Sequence, residues 1–250
     1  MLKDPVDLQS VRRVLVTKLR HHGDVLPATP VFSVLKSHAP HVEVDALRRI
    51  GVQPGESERK LCFVPGEEAE REVGRMLAEL GLAPGSYIHV HPASRWQFKC
   101  WPAEKTAELI NTLQASGERV VVSAAPDADE LDLVRRIRVL ATTPFADVSG
   151  KLTLKQLGAL TRNAALFIGV DSAPMHIASA MQTPVVALFG PSGEFNWGPW
   201  QVPHRVVASN NYACRPCGND GCGGGKVSEC LTTLPVSEVL QAIQALQSRF

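Results

Sequence analysis

The sequence contains no apolar run close to the ~20 residues that a membrane-spanning helix needs. Its first segment, MLKDPVDLQSVRR, lacks the apolar core of a signal peptide and carries acidic residues early. The formal net charge of +1 provides no global field that would attract nucleic acid. These absences predict a cytoplasmic globular protein that does not bind nucleic acid.

Three common active-site signatures are also missing. The sequence has no G-x-S-x-G elbow, no Walker A loop and no G-x-G-x-x-G turn. Their absence argues against a serine hydrolase, a P-loop NTPase and a common dinucleotide-dependent dehydrogenase.

The composition is that of an ordinary globular protein. The 250 residues, 44% of them hydrophobic, are enough for one large or two small domains. Residues 1–60 carry a slight basic excess, which either faces an anionic substrate or a membrane surface or is simply a solvated face. Six cysteines in a reducing compartment are not expected to form structural disulfides.

From residue 86 onward, apolar runs alternate with amphipathic segments. This alternation predicts a parallel sheet with helices on both faces, an α/β fold. The predicted strands are 87–90, 119–123, 146–149, 166–170 and 185–189, and the predicted helices are 103–116, 129–140, 154–162 and 235–250. Before them, the pattern predicts a strand at 12–19, a helix at 25–36 and a helix at 67–82.

Residues 165–191, AALFIGVDSAPMHIASAMQTPVVALFGP, predict one strand–turn–helix–strand unit. Asp171 ends the first strand, and Pro174 suits the first turn of the helix. Ser172 is placed to cap that helix or to bind a phosphate oxygen. His176 is either a buried core histidine or a phosphate ligand. An ordinary βαβ unit with a capping turn is the alternative to a binding site.

The loop SRWQFKCWP follows the predicted strand 87–90. Ser94, Arg95 and Lys99 offer a hydroxyl, a guanidinium and an ammonium group, which together suit a diphosphate. The two tryptophans would stack on a base or sugar, or close the core beneath the loop. Since binding sites in such folds gather at the carboxyl ends of strands, this loop and the turn at Asp171 are expected to form one site.

Two further features leave alternatives open. Cys214, Cys217, Cys222 and Cys230 follow the pattern C-x2-C-x4-C-x7-C, which is either a zinc or iron–sulfur ligand set or a group of free thiols in a glycine-rich loop.

Asp24, after the glycine turn RHHGD, is by itself most simply a helix cap.

Three separated motifs resemble the lipopolysaccharide core heptosyltransferases of glycosyltransferase family 9. They are KLRHHGDVLPATP, HPASRWQFKCWP and GVDSAPMHIASAMQTPVVALFG, and they occur in the family's order. The second and third are most similar to the heptosyltransferase III type. The resemblance implies a GT-B architecture of two Rossmann-like lobes. It also implies inverting, metal-independent transfer of heptose from ADP-heptose to the lipid-linked core, with no cofactor.

The resemblance also assigns roles to individual residues. Asp24 takes the place of the family's catalytic aspartate, which accepts the proton of the attacking hydroxyl. Ser94, Arg95 and Lys99 match the loop that binds the donor phosphates. Asp171, Ser172, Ala173, Pro174 and His176 match the second donor loop, in which Asp171 suits a sugar hydroxyl. The acceptor implies a cytoplasmic enzyme, with peripheral contact at the inner face of the inner membrane as a further expectation.

The N-terminal part is shorter than the resemblance requires. Residues 1–85 are interpreted as a truncated acceptor-side lobe with an internal deletion near Asp45 and Ala46, and residues 86–250 as the donor-binding lobe. A catalytically impaired lobe that still binds a nucleotide sugar is therefore the alternative function.

Overall fold

The computed structural model describes residues 59–248. Their strands form one six-stranded sheet in the order β3-β2-β1-β4-β5-β6, and every pair of neighbours is parallel. The strands are β1 (Ile88–His91), β2 (Val120–Val122), β3 (Ala146–Asp147), β4 (Leu166–Val170), β5 (Val185–Phe189) and β6 (His204–Ala208). The predicted parallel α/β sheet is confirmed.

Helices connect the strands and cover both faces of the sheet. Local signals explain several helix starts: the Asp127 side chain accepts hydrogen bonds from the backbone of Asp129 and Glu130, and Thr153 forms a capping box with Gln156. The α-helices are Glu67–Glu79, Ala103–Ala115, Ala128–Leu140, Leu154–Arg162, Ala173–Ala180, Glu194–Trp197, Glu229–Thr232 and Val236–Gln247.

The strands β1, β2, β4 and β5 are buried on both faces, which explains the continuous apolar composition of β2, β4 and β5. Side chains such as Ile88 and Val90 face one cluster, which includes residues of the helices Ala103–Ala115, Ala128–Leu140 and Val236–Gln247. Side chains such as Val121 and Phe167 face the other side of the sheet. This double burial fixes the strands, and thereby the loops at their carboxyl ends.

The compact unit that contains the sheet begins at Val64. Val73 and Leu77, on the helix Glu67–Glu79, pack in one cluster with Tyr87 and Val121. That helix therefore packs against the six-stranded sheet, although the predicted boundary after residue 85 assigns it to the N-terminal lobe. The roles predicted for the two lobes stay predictions.

The predicted strand 12–19, helix 25–36, catalytic Asp24 and deletion near Asp45 all lie outside the described residues. Across residues 59–248, no helix combines the length and the apolar character needed to span a membrane.

Candidate functional site

The strand order has a reversal point between β1 and β4. The chain runs outward from β1 through β2 to β3, then returns to the centre and runs outward again through β4, β5 and β6. In open α/β sheets, ligands bind at the carboxyl ends of the strands beside such a reversal. β1 is followed by the loop 92–101, and β4 by the turn at Asp171, so both predicted donor loops lie at this point.

An ion pair joins the two loops. Nζ of Lys99 lies 2.6 Å from Oδ2 of Asp171, a residue 72 positions away in sequence. The side chains are 22% and 8% exposed, respectively, so the pair is partly shielded from water. The two loops therefore converge at one edge of the sheet, as predicted, and this ion pair joins them.

The loop after β1 is held in shape by its own side chains. Cys100 Sγ accepts a hydrogen bond from the backbone N–H of Ser94, and Ser94 Oγ accepts one from Trp96. Burial raises the pKa of the Cys100 thiol to about 11, so the thiol stays protonated and serves as a structural group. A single 3-10 turn, Gln97–Lys99, then presents Lys99 to Asp171.

The two tryptophans of this loop have different environments. Trp101 is 3% exposed and donates its indole N–H to the carbonyl of Leu234. Trp96 is 40% exposed, and the Arg95 guanidinium lies 5.9 Å from its ring centroid. Trp101 therefore closes the core beneath the loop, which is one of the two roles that the sequence analysis allowed for the tryptophans. Trp96 and Arg95 lie on the surface of the loop.

The second loop opens the helix Ala173–Ala180. Ser172 occupies the N-cap position, but its side chain makes no capping hydrogen bond and donates to the carbonyl of Val170 instead. Pro174 lies in the first turn, as predicted, and His176 is buried on the same helix. The capping interpretation of Ser172 is therefore wrong. The N-terminus of the helix is left without a side-chain cap, as suits an anion site.

Beneath the loops lies a buried polar network that the sequence analysis missed. Ser123 Oγ lies 2.7 Å from Nε2 of His89 and 2.8 Å from Nδ1 of His91. Nδ1 of His89 lies 3.0 Å from Oγ1 of Thr161, and Nε2 of His91 lies 3.9 Å from Oε2 of Glu130. The alternation of histidine with Ile88 and Val90 in IHVH was the available signal, because it places both imidazoles on one face of β1.

Burial determines the charge state of this network. It lowers the pKa of His89 to about 3, helped by the nearby His91, and lowers the pKa of His91 to about 4. Burial also raises the pKa of Glu130, whose carboxylate accepts a hydrogen bond from the Ala125 backbone. Both imidazoles are therefore neutral at pH 7 and act as hydrogen-bonding supports beneath the loop that follows His91.

The four spaced cysteines are free thiols. Cys230 is buried, whereas Cys214, Cys217 and Cys222 are exposed. Over the described part of the chain, no group of three or more His, Cys, Asp or Glu side chains is arranged to hold a metal ion.

The predicted site residues thus lie at one edge of the sheet, apart from Asp24, which is outside the described residues. Residues 60–227 match the family described as glycosyltransferase family 9 (heptosyltransferase). The chain belongs to this family. The resemblance carried by the sequence motifs is confirmed.

Relatives of this family 9 chain include lipopolysaccharide heptosyltransferase 3 of Escherichia coli K12. The two are 33% identical over 213 residues, which are 84% of this chain and 60% of that relative. This chain therefore spans about 60% of that relative's length.

Solved structures show the same fold. A family 9 glycosyl transferase from Veillonella parvula DSM 2008 matches with a TM-score of 0.76 at 19% identity, covering 96% of this chain and 98% of that one. The E. coli heptosyltransferase WaaC with ADP matches with a TM-score of 0.52 at 20% identity, covering 69% of this chain and 48% of that one. The predicted GT-B-like fold class is confirmed.

Proposed function

We propose that this chain is a glycosyltransferase that transfers heptose from ADP-heptose to the lipopolysaccharide inner core. The Lys99–Asp171 ion pair carries the proposal, because it joins both predicted donor loops at the reversal point of the sheet. The family match covers both loops. WaaC has been solved with ADP and with ADP-2-deoxy-2-fluoro heptose, which supports an ADP-sugar donor.

The donor contacts follow from the charges of the two loops. The diphosphate would be bound by the Lys99 ammonium, the Arg95 guanidinium and the Ser94 hydroxyl. The uncapped start of the helix Ala173–Ala180 adds backbone N–H donors and the positive end of the helix dipole. Asp171 would hold a heptose hydroxyl while its second role, fixing Lys99, keeps the ammonium at the phosphate.

The proposed reaction is a single displacement with inversion at the anomeric carbon. Asp24 accepts the proton of the attacking core hydroxyl, the new glycosidic C–O bond forms, and the bond to the ADP oxygen breaks. Negative charge grows on the departing ADP, so Lys99 and the helix start stabilise the transition state more than the ground state. These groups neutralise the leaving diphosphate in a mechanism that needs no metal ion.

The acceptor in this proposal is the lipid-linked core sugar. Because this acceptor is linked to a lipid, the proposed location of the enzyme is the cytoplasm, in peripheral contact with the inner face of the inner membrane. Residues 1–85 are proposed to receive the acceptor and residues 86–250 to bind the donor.

A second candidate function is a catalytically impaired nucleotide-sugar-binding protein. It needs only the two donor loops, which the Lys99–Asp171 ion pair joins. This protein would bind ADP-heptose through the same loops and transfer no sugar.

One pair of measurements tests both functions on the full chain. Calorimetry measures the binding of ADP and ADP-heptose, and a transfer assay follows heptose onto a heptose-deficient core acceptor. Binding with transfer supports the transferase, and binding without transfer supports the second candidate. If the folded protein bound neither ADP nor ADP-heptose, both proposals would be wrong.

A further inference from the structure

The peptide that carries Lys99 is held from a remote part of the chain. Oγ of Ser228 donates a 2.6 Å hydrogen bond to the carbonyl oxygen of Phe98, 130 residues earlier in the sequence. Ser228 is 4% exposed and Phe98 is 7% exposed, so this hydrogen bond is buried. Phe98 directly precedes Lys99, and the bond therefore acts one peptide unit from the ion pair with Asp171.

Other residues of the segment 226–234, called the buttress segment below, contact the same loop. Nζ of Lys226 lies 5.7 Å from the centroid of the Phe98 ring. The carbonyl of Leu234 accepts hydrogen bonds from the Trp101 indole at 3.2 Å and from the Lys105 ammonium at 2.8 Å. The buttress segment therefore contacts the loop on both sides of Lys99.

The hydrogen bonds inside the 3-10 turn show why an outside donor matters. The carbonyls of Trp96 and Gln97 accept from the backbone N–H groups of Lys99 and Cys100. The carbonyl of Phe98 is bonded by Ser228 instead. A buried carbonyl that loses its donor is costly, so the peptide between Phe98 and Lys99 would rotate toward another donor or toward water. Such a rotation would move the Lys99 side chain.

We propose that Ser228 is a positioning residue, which fixes the Lys99 ammonium for the diphosphate of the donor. The inference rests on the proposed function of the two donor loops. Ser228 acts through the backbone of Phe98 and makes no contact with the donor itself. Its effect on donor binding therefore depends on the presence of Lys99.

The test measures ADP binding by calorimetry for the full chain and its variants. Ser228→Ala removes the hydroxyl and is expected to weaken ADP binding about three- to tenfold, the effect of one hydrogen bond. Ser228→Thr keeps the hydroxyl and is expected to restore binding. Ser228→Cys keeps the size but has a weaker donor and is expected to be intermediate, and it replaces Ser228→Ala if that variant does not fold.

Thr183→Val is the matched control. Thr183 is 3% exposed and donates a 2.8 Å hydrogen bond to the carbonyl of Thr161, at the opposite edge of the sheet. This variant loses a comparable buried hydroxyl but should bind ADP like the wild type. It separates a loss of positioning from a general loss of packing.

A double-mutant cycle identifies the route of the effect. In the Lys99→Ala background, Ser228→Ala should cause no further loss of ADP affinity, because the group it positions is already absent. A further loss of the same size would overturn the inference, as would wild-type affinity in the folded Ser228→Ala variant. If the wild type itself bound no ADP, the proposed function would fail first, and the two failures are thus distinguishable.

Discussion

Nζ of Lys99 and Oδ2 of Asp171 lie 2.6 Å apart, and this contact joins two loops that follow neighbouring strands at the centre of the sheet. The pair has two consequences. It places a cation, 22% exposed, where a donor diphosphate is expected, and it satisfies a carboxylate that is 8% exposed. A buried charge that loses its partner is destabilising, so the removal of either residue should lower the free energy of unfolding, in addition to its effect on donor binding.

Lys99→Ala is expected to weaken ADP binding by ~1.5–3 kcal/mol, the range of a hydrogen bond to a charged group. Calorimetry on the full chain measures the change. Arg162→Ala is the control, because it also removes one positive charge but from an exposed ion pair with Glu70. Equal ADP affinities for Lys99→Ala and the wild type would contradict the donor role of Lys99.

Asp171→Asn is expected to lower the free energy of unfolding by ~1.5–3 kcal/mol, because it leaves the partly shielded ammonium of Lys99 without its counter-charge. It should also bind ADP more weakly than the wild type, because the ion pair that holds the Lys99 ammonium at the diphosphate is lost. Urea denaturation measures the first effect and calorimetry the second. A variant with the stability and the ADP affinity of the wild type would show that the ion pair neither stabilises the fold nor positions Lys99.

The two buried histidines predict a specific pH dependence of stability. Their folded pKa values, about 3 for His89 and about 4 for His91, lie below the ordinary value of 6.5. The unfolded chain therefore binds more protons between about pH 4 and 6.5, and stability is complete above 6.5 and falls as the pH drops through that window. Each imidazole contributes a slope of up to ~1.4 kcal/mol per pH unit.

Urea denaturation between pH 5 and 8 tests this dependence. The raised pKa of Glu130 acts in the opposite direction, because the protonated carboxyl is favoured in the folded state and its contribution is lost as the pH rises. The wild type should therefore lose stability most clearly below pH 6.5, and a His91→Gln variant should show a smaller slope there. Equal slopes for the two proteins would mean that His91 is not held neutral by burial.

Local patterns predicted much of the fold. The run 165–191 gave the correct strand, turn, helix and strand because its apolar residues are continuous and its turn contains proline and small residues. β6 (His204–Ala208) was not predicted, since it is partly exposed and has no continuous buried run. Its position is set by pairing with β5, a contact that no local pattern encodes.

The site was predictable only to the level of its loops. The strand-end rule placed Ser94, Lys99 and Asp171 at one edge, because the carboxyl ends of parallel strands share that edge. The direct pairing of Lys99 with Asp171 and the hydrogen bond from Ser228 to Phe98 join residues 72 and 130 positions apart. Such contacts depend on the packed positions of whole elements. The position of Asp24 relative to the donor loops stays a prediction.

Asp24→Asn is expected to abolish heptose transfer and leave ADP binding unchanged. The amide has no basic oxygen to accept the proton of the attacking hydroxyl, and loss of a general base typically costs about 10²–10⁴-fold in rate. The transfer assay with ADP-heptose and a heptose-deficient core acceptor measures kcat, and calorimetry measures ADP affinity. Lys99→Ala is the informative comparison, because it should weaken ADP binding and Asp24→Asn should not. A fully active Asp24→Asn variant would require another base, whereas a parallel loss of ADP binding would make Asp24 a structural residue.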